Sequence, residues 1–284
     1  MMRKSAKIIL TLFLASCFVS VFSPALKAEI DSYACYMPSS GLKAQPGKIS
    51  LVDSAWEYSY EFKAFDKLPV ELSLDSRYIG IKKDEAVGVT LPAHLTGLGA
   101  GIQATLPFFK FNKTYFRMKV APAFYGDDWD AHSSSFRLPV QSFLIYQPDD
   151  RWTFVAGIAV YPDFEREVLP ILGFIYKAND RLTFNLVPKG PNISYVFSPC
   201  LTLFVEGGFS SSEFEVSRDS LEGAVLRYNQ NYLGTGMKFK LNKYVDVSLS
   251  AGGAFNRYLK YRDGLGKAGL KDNLYTQLRI EIAR

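Results

Sequence analysis

Few side chains in this sequence can do acid–base or nucleophilic chemistry. There are two histidines, His94 in "PAHLTG" and His132 in "DAHSSS". His132 stands beside Ser133, Ser134 and Ser135, a set from which a lipid hydrolase or acyltransferase could draw a nucleophile and its base. That chemistry needs the two groups within hydrogen-bond reach and a third group orienting the base. Adjacent residues in one polar loop do not supply this, so the segment reads as a loop and no catalytic residue is assigned. Asp127, Asp128 and Asp130 in "DDWD" are hard oxygen donors suited to calcium. Their spacing matches no calcium loop, so they read as a solvated acidic turn, with no metal or cofactor expected. "GLGAG", residues 97–101, is followed by Ile102 and Gln103 with no helix signal, which argues against a dinucleotide loop. Glycines on one strand face instead leave room for bulky neighbours or bend the strand. Cys35 and Cys200 could pair in an oxidising compartment, although their separation favours two isolated thiols.

Before these residues comes a leader. Arg3, Lys4 and Lys7 precede an apolar run from Ile8 to Phe22, and small residues follow at Ser23, Ala25 and Ala28. This is the layout of a secretory signal peptide, placed at residues 1–28, with cleavage after Ala25 as a variant. "LASC" ending at Cys17 also matches a lipoprotein box, but the apolar run continues through Phe22 as in an ordinary signal. Removing residues 1–28 takes away four basic residues and no acid, and the formal net charge falls from +5 to +1. A near-neutral mature chain gives no electrostatic case for binding nucleic acid.

The elements that would position any site are strands. Met237, Phe239 and Leu241 alternate with Gly236, Lys238 and Lys240. After Leu241-Asn242-Lys243, Val245, Val247, Leu249 and Ala251 alternate with Asp246, Ser248 and Ser250. Period two puts one class on each face of a strand. The same reading predicts strands at about 49–63, 69–82, 96–107, 114–126, 135–146, 151–161, 168–178, 181–188, 191–198, 200–215, 225–241, 244–260 and 273–283. Their connections alternate in length. Tight turns fall at residues 65–67, 111–113, 148–150, 178–180, 198–200 and 241–243, and longer polar connections at about 83–95, 127–134, 162–167, 216–224 and 261–272. Short turns at one end and long loops at the other mark an all-β antiparallel transmembrane β-barrel, with short periplasmic turns and longer external loops.

Thirteen strands is an odd number for a closed bacterial barrel. Either Glu29–Tyr36 supplies another strand before a loop at Pro38–Lys48, or one short candidate near residues 181–198 is not a strand. The expectation is therefore 12–14 strands, with residues 29–48 as an N-terminal segment and 49–284 as the barrel. In that barrel Glu57, Glu61, Glu71, Asp75, Arg77, Arg117, Lys119, Arg137, Glu206, Lys238, Lys240, Asp246, Arg279 and Glu281 fall on the lumen face as candidate pore-lining residues. Both signs are present, so no ion preference follows. Basic residues of the last external loop, Lys260, Arg262, Lys267 and Lys271, are candidates for lipopolysaccharide phosphates.

Residues 179–263 add a family resemblance. "NDRLTFNLVPKGPNISYVFSPCLTLFVEGGF" followed by "LRYNQNYLGTGMKFKLNKYVDVSLSAGGAFNRYLKYRD" resembles a family of bacterial outer-membrane β-barrel proteins catalogued as a domain of unknown function. The matching features are Asn179-Asp180-Arg181, Pro188, Gly207-Gly208, Gly234 and Gly236, and the Arg257-x-x-x-Tyr261 strand end. The resemblance implies fold and location and brings no activity. The C-terminus, Ile280-Glu281-Ile282-Ala283-Arg284, departs from the aromatic ending that the barrel-assembly machinery is thought to recognise. The expected role is a passive porin-like channel for small solutes or a structural surface protein in the outer-membrane lipid. The alternatives are a membrane-embedded lipid-modifying enzyme and a soluble or lipid-anchored periplasmic β-protein.

Overall fold

The computed structural model describes residues 27–64, 68–108, 112–128, 135–162, 165, 167–188, 190–217, 221, 223–262 and 264–283. The predicted leader up to residue 26, with Cys17, lies outside them. The strands are β1 (Lys27–Gly41), β2 (Lys48–Ala64), β3 (Leu68–Lys83), β4 (His94–Pro107), β5 (Thr114–Val120), β6 (Ala123–Gly126), β7 (Phe136–Arg137), β8 (Val140–Tyr146), β9 (Trp152–Val160), β10 (Val168–Lys177), β11 (Leu182–Asn185), β12 (Asn192–Ser198), β13 (Leu201–Val216), β14 (Ala224–Lys240), β15 (Val245–Tyr261), β16 (Lys267–Leu270) and β17 (Asn273–Ala283). β5 with β6, β7 with β8 and β16 with β17 each fill one wall position. The wall is thus a closed antiparallel barrel of fourteen strands.

The barrel closes through β1. On one side it pairs with β17 from Glu29 opposite Ala283 to Tyr36 opposite Thr276. On the other it pairs with β2 from Lys27 opposite Glu61 to Gly41 opposite Lys48. Residues 27–41 are therefore barrel wall and not a separate N-terminal segment, because without them β2 and β17 would expose unpaired backbone groups. Both short candidates are real strands, β11 and β12. β1 also runs past Pro38 to Gly41 through a bulge between Met37 and Ser40, which shortens the expected loop. The connection after β15 gains β16, opposite Arg257–Lys260.

Three of the tight turns share one device. Asp149, Asn179 and Asn242 each accept through Oδ1 from the backbone N–H groups two and three residues on, at 2.8–3.1 Å. The side chain satisfies backbone donors that the turn would otherwise strand.

Outward-facing side chains form an apolar belt. Leu72, Leu98, Ile102, Ile158, Leu172, Leu203, Phe209, Leu233, Leu249 and Leu274 are all exposed, Leu172 at 74% and Leu274 at 70%. An exposed apolar surface of this extent is stable only against hydrocarbon or a partner. Near the short turns the belt ends in outward-facing rings, with Trp152 stacked on Tyr176 at 4.2 Å, and further pairs Tyr146–Phe154 and Tyr176–Phe184. Such aromatic girdles mark a membrane interface.

At the long-loop end the wall closes a second time. Pro122 and Pro139 lie side by side on neighbouring strands, with Ala121 N–H donating to the Pro139 carbonyl at 2.9 Å. Neither proline can donate to the ladder, and the wall breaks there into the β6–β7 hairpin. β6 then meets β13 in a parallel contact at Glu215 and Gly126, and Asp127 N–H donates to Glu215 O at 3.1 Å. A smaller ring of β1–β4, β6 and β13–β16 results, while β9–β12 stop short.

Replacing Ala34, in the middle of β1 and paired on both sides, by proline removes a ladder donor from the closing strand. The expected outcome is loss of the heat-modifiable, fast-migrating folded form on gels, whereas Ala34→Val retains it.

Candidate functional site: a lumen closed from within

Below the small ring the inward side chains are polar and meet across the barrel. Arg279 forks onto Asp31 at 2.9 and 3.0 Å, and Lys238 pairs with Glu281. Lys119 on β5 reaches Glu57 on β2 at 3.1 Å, although two strands separate them. Gln103 donates to Glu71 at 3.0 Å and Arg117 to Thr105 at 3.2 Å. Tyr275 OH donates to Glu206 at 3.2 Å. Asp75 lies over Gly99, where an added Cβ would stand 2.7 Å from its carboxylate, and Gly101 makes the same room for Lys119. The glycine run on β4 thus admits long charged neighbours. Lys240 stands opposite Asp246 and Glu61 opposite Glu71 in register, toward the short turns.

Arg77 is the crossbar. From β3 its guanidinium forks onto Asp53 of β2 at 3.0 and 2.6 Å, and it also donates to Ser210 and Ser212 of β13 at 2.8 and 2.7 Å. β13 is not a neighbour of β3 in the wall, so one side chain ties opposite walls together. Tyr33 OH also donates to Asp53, at 3.2 Å. Asp53 is the missed partner in this set. It shares strand parity with Glu57 and Glu61 and was obscured by the apolar Leu51 and Val52 around it.

Beyond Arg77 the ring's interior is apolar. Met37, Ile49, Leu51, Ile79, Leu95, Phe214, Leu226, Tyr228, Leu259, Tyr261 and Leu270 are all fully buried, joined by Leu42, Val87, Leu91 and Leu221 from the connections. Tyr261 OH donates to Thr90 O at 2.8 Å, holding the β3–β4 connection inward. Arg257, 1% exposed, donates to Ser40, to Lys271 O and to the Met37 thioether. The Arg257-Leu259-Tyr261 series reaches this interior because Asn256, at φ 50°, forms a bulge that shifts the register of β15 against β14. Gly208 and Gly234 of the same resemblance have another use. A Cβ at Gly208 would press on the Tyr232 ring, and one at Gly234 on Tyr275.

Beside the ring lies an ionic clasp. Glu213 of β13, 1% exposed, receives Arg137 of β7 at 3.9 Å, Arg227 of β14 at 3.5 Å and Arg262 after β15. Arg227 also pairs with Glu165 in the β9–β10 connection, whose N–H donates to Glu213. Ser135 Oγ donates to the buried Glu215 at 2.6 Å. Nothing local in the sequence marks Glu213 as buried, because loops distant in sequence cover it.

The remaining candidates separate. His94 stacks on Tyr78, while His132, Ser133, Ser134 and Asp130 lie outside the described residues. Asp127 accepts from Ser217 N–H at 2.9 Å, and among the described residues no three ligating side chains gather to hold a metal. The Cys35–Cys200 disulfide does not form. Cys35 is buried in the closed ring and Cys200 is exposed at the β12–β13 turn, at opposite ends of the barrel.

Removing one partner of a buried ion pair leaves an uncompensated charge and costs about 3–5 kcal/mol. Arg77→Ala and Asp53→Ala are each expected to lower the urea midpoint of the folded barrel strongly. The double variant is expected to lose less than the sum of the two singles, which a double-mutant cycle read by heat-modifiable migration checks.

Among solved structures the fold is similar to that of a Pseudomonas aeruginosa FadL homologue, at 10% identity and a TM-score of 0.50, covering 90% of each chain. An outer-membrane channel from Pseudomonas putida F1 matches at 12% identity and a TM-score of 0.47, over 92% of this chain and 97% of that one. The KdgM porin matches at 10% and 0.41, over 90% and 99%. A search of curated proteins finds no match. The likeness to the FadL homologue is one of fold, a closed antiparallel β-barrel. The model of one family, described as Domain of unknown function (DUF6268), spans residues 69–279, well beyond residues 179–263, and the chain belongs to that family.

Proposed function

We propose that this protein is a passive channel of the bacterial outer membrane, exported through its N-terminal leader and inserted by the barrel-assembly machinery, and held here in a closed conformation. The observation that carries this reading is the change of lining along one continuous lumen. A polar, charge-paired vestibule opens toward the short turns, and it ends at the Arg77–Asp53 crossbar and the apolar ring above it. A barrel kept only as a structural wall has no need of a polar half-lumen, since apolar side chains fill small barrels at lower desolvation cost. The polar lining of the vestibule suits small hydrophilic solutes. Its charges are of both signs and largely paired, so selectivity between anions and cations is weak until pairs break. The pore-lining roles of Glu57, Glu71, Asp75, Arg77, Arg117, Lys119, Glu206, Lys238, Arg279 and Glu281 belong to this proposal, with Glu61, Lys240 and Asp246 at its mouth and Arg137 in the clasp beside it. We read the chain as non-enzymatic: Ser135, which donates to the Glu215 carboxylate, is 1% exposed and out of reach of a substrate, and His94 lies against a ring.

Planar-bilayer recording on the folded full-length mature protein tests this. Wild type is expected to give rare, small openings, and the Arg77→Ala, Asp53→Ala double variant frequent steps of several times the conductance. Silence from both would show that the lumen is not a solute path, and large steady steps from wild type would show that the ring does not close it. Carbonate washing is expected to leave the protein in the membrane pellet. Release without detergent would favour a periplasmic protein instead.

A further inference from the structure

The outer face of the small ring carries a row of cations, two of which have no acidic partner among the described residues. Arg227 on β14 stands opposite Lys260 on β15, and Lys260 stands opposite Lys267 on β16. The three lie side by side across three adjacent strands. Arg227 is neutralised by Glu165 and Glu213. Among the described residues neither Lys260 nor Lys267 has an acidic partner, and like charges directly opposite on a sheet repel. Lys271 and Lys43 extend the patch. The Lys271 side chain lies against Gly41, and Lys43 stands beside Gly269 with a 3.9 Å contact to Asp272. Lys267 also lies over the Tyr258 ring at 5.1 Å.

The row has a defined height. On β14 and β15 the last apolar outward residues are Leu233 and Phe255, and Leu274 stands beside them on β17. Asn231 faces Phe255, Asn229 faces Tyr258, and Arg227 faces Lys260. On β15 five positions, one of them taken up by the bulge, separate Phe255 from Lys260, which on a tilted strand places the cations roughly 10 Å beyond that end of the apolar belt, and a lysine stem can extend along the surface between. The outward direction, the aromatic step at Tyr258 and a lysine pair without an acidic partner among the described residues fit the polar layer of a membrane leaflet.

We propose that Lys260 and Lys267, with Lys43 and Lys271 beside them, bind the phosphates of a lipid in the leaflet that the long loops face. This rests on the membrane orientation proposed above. A lipid with phosphates on its sugar headgroup and chains running down the belt past Phe255 and Leu274 satisfies both the charge and the apolar surface below it. Free phosphate satisfies only the first. Arg262, grouped with these lysines by sequence, faces Glu213 instead and takes no part.

The test uses the folded full-length mature protein in non-ionic detergent, with diphosphoryl lipid A as probe and adducts counted by native mass spectrometry. Wild type is expected to retain the lipid, and Lys260→Gln with Lys267→Gln to weaken retention about tenfold or more, as loss of two interfacial lysines predicts. Lys267→Gln alone gives a smaller loss in the same direction. Lys177→Gln with Lys243→Gln, at the short-turn end, leaves binding unchanged. Equal retention by the Lys260, Lys267 variant overturns the proposal, as does equal binding of lipid A stripped of phosphate. Competition by inorganic phosphate at matched concentration assigns the patch to the free ion and overturns the lipid. Heat-modifiable migration confirms folding in every arm, and carbonate extraction tests the membrane reading separately.

Discussion

A backbone N–H or C=O without a partner in hydrocarbon costs several kcal/mol, and most of this architecture answers that constraint. It makes β1 obligatory, since only a strand pairing with both β17 and β2 removes the last two edges. It makes the strand number even and brings both ends of the wall to the same side. It also bears on the tight turns, where Asp149, Asn179 and Asn242 cap the free donors with their own side chains. The wall can afford a break at Pro122 and Pro139 only because the hairpin above it finds β13.

Two solvents act on the same strands. Over most of the wall the outside is apolar and the inside polar. In the small ring the inside becomes apolar, as in a water-soluble protein. Because strand parity cannot change without a bulge, this switch appears as a phase reversal. On β2, Ile49 and Leu51 turn inward, whereas Trp56, Tyr58 and Tyr60 sit on the opposite parity and face out. On β3 the outward Leu72 and Leu74 give way to the inward Ile79 and Ile81, and on β14 the outward Leu233 and Met237 to the inward Leu226 and Tyr228. β15 makes the same change by another route, with the bulge at Asn256 altering parity so that Arg257, Leu259 and Tyr261 enter the ring.

Much of the fold was legible in sequence because period two and turn length are local signals. All thirteen predicted strands have counterparts in the wall, and the tight turns at 148–150, 178–180, 198–200 and 241–243 fall where Asn, Asp and Pro predict them. What escaped was set by distance along the chain. β1 was hard to weigh because its partner lies at the other end of the sequence, and β6 and β7 were hidden inside longer apolar runs. Several lumen charges could be found by parity, but their pairing could not. Lys119 meets Glu57 across two intervening strands, and Glu213 becomes buried only when segments from β7, β14 and two loops converge on it. The reversal on β2 was visible as a slip between Leu51 and Trp56, and it carried the position of Asp53 with it.

The closed ring is made largely of the wall itself. Its fully buried side chains stand on β1–β4 and β13–β16, and Arg77 is anchored to strands on both sides of the lumen. A stopper contributed by a separate domain can be withdrawn whole and leave the cylinder unchanged. A stopper borne mostly by the cylinder has no separate body to eject, so opening requires the staves to spread and the interior to be re-wetted. Opening of such a ring is governed by how readily its wall deforms, which ties it to the thickness of the membrane that grips it.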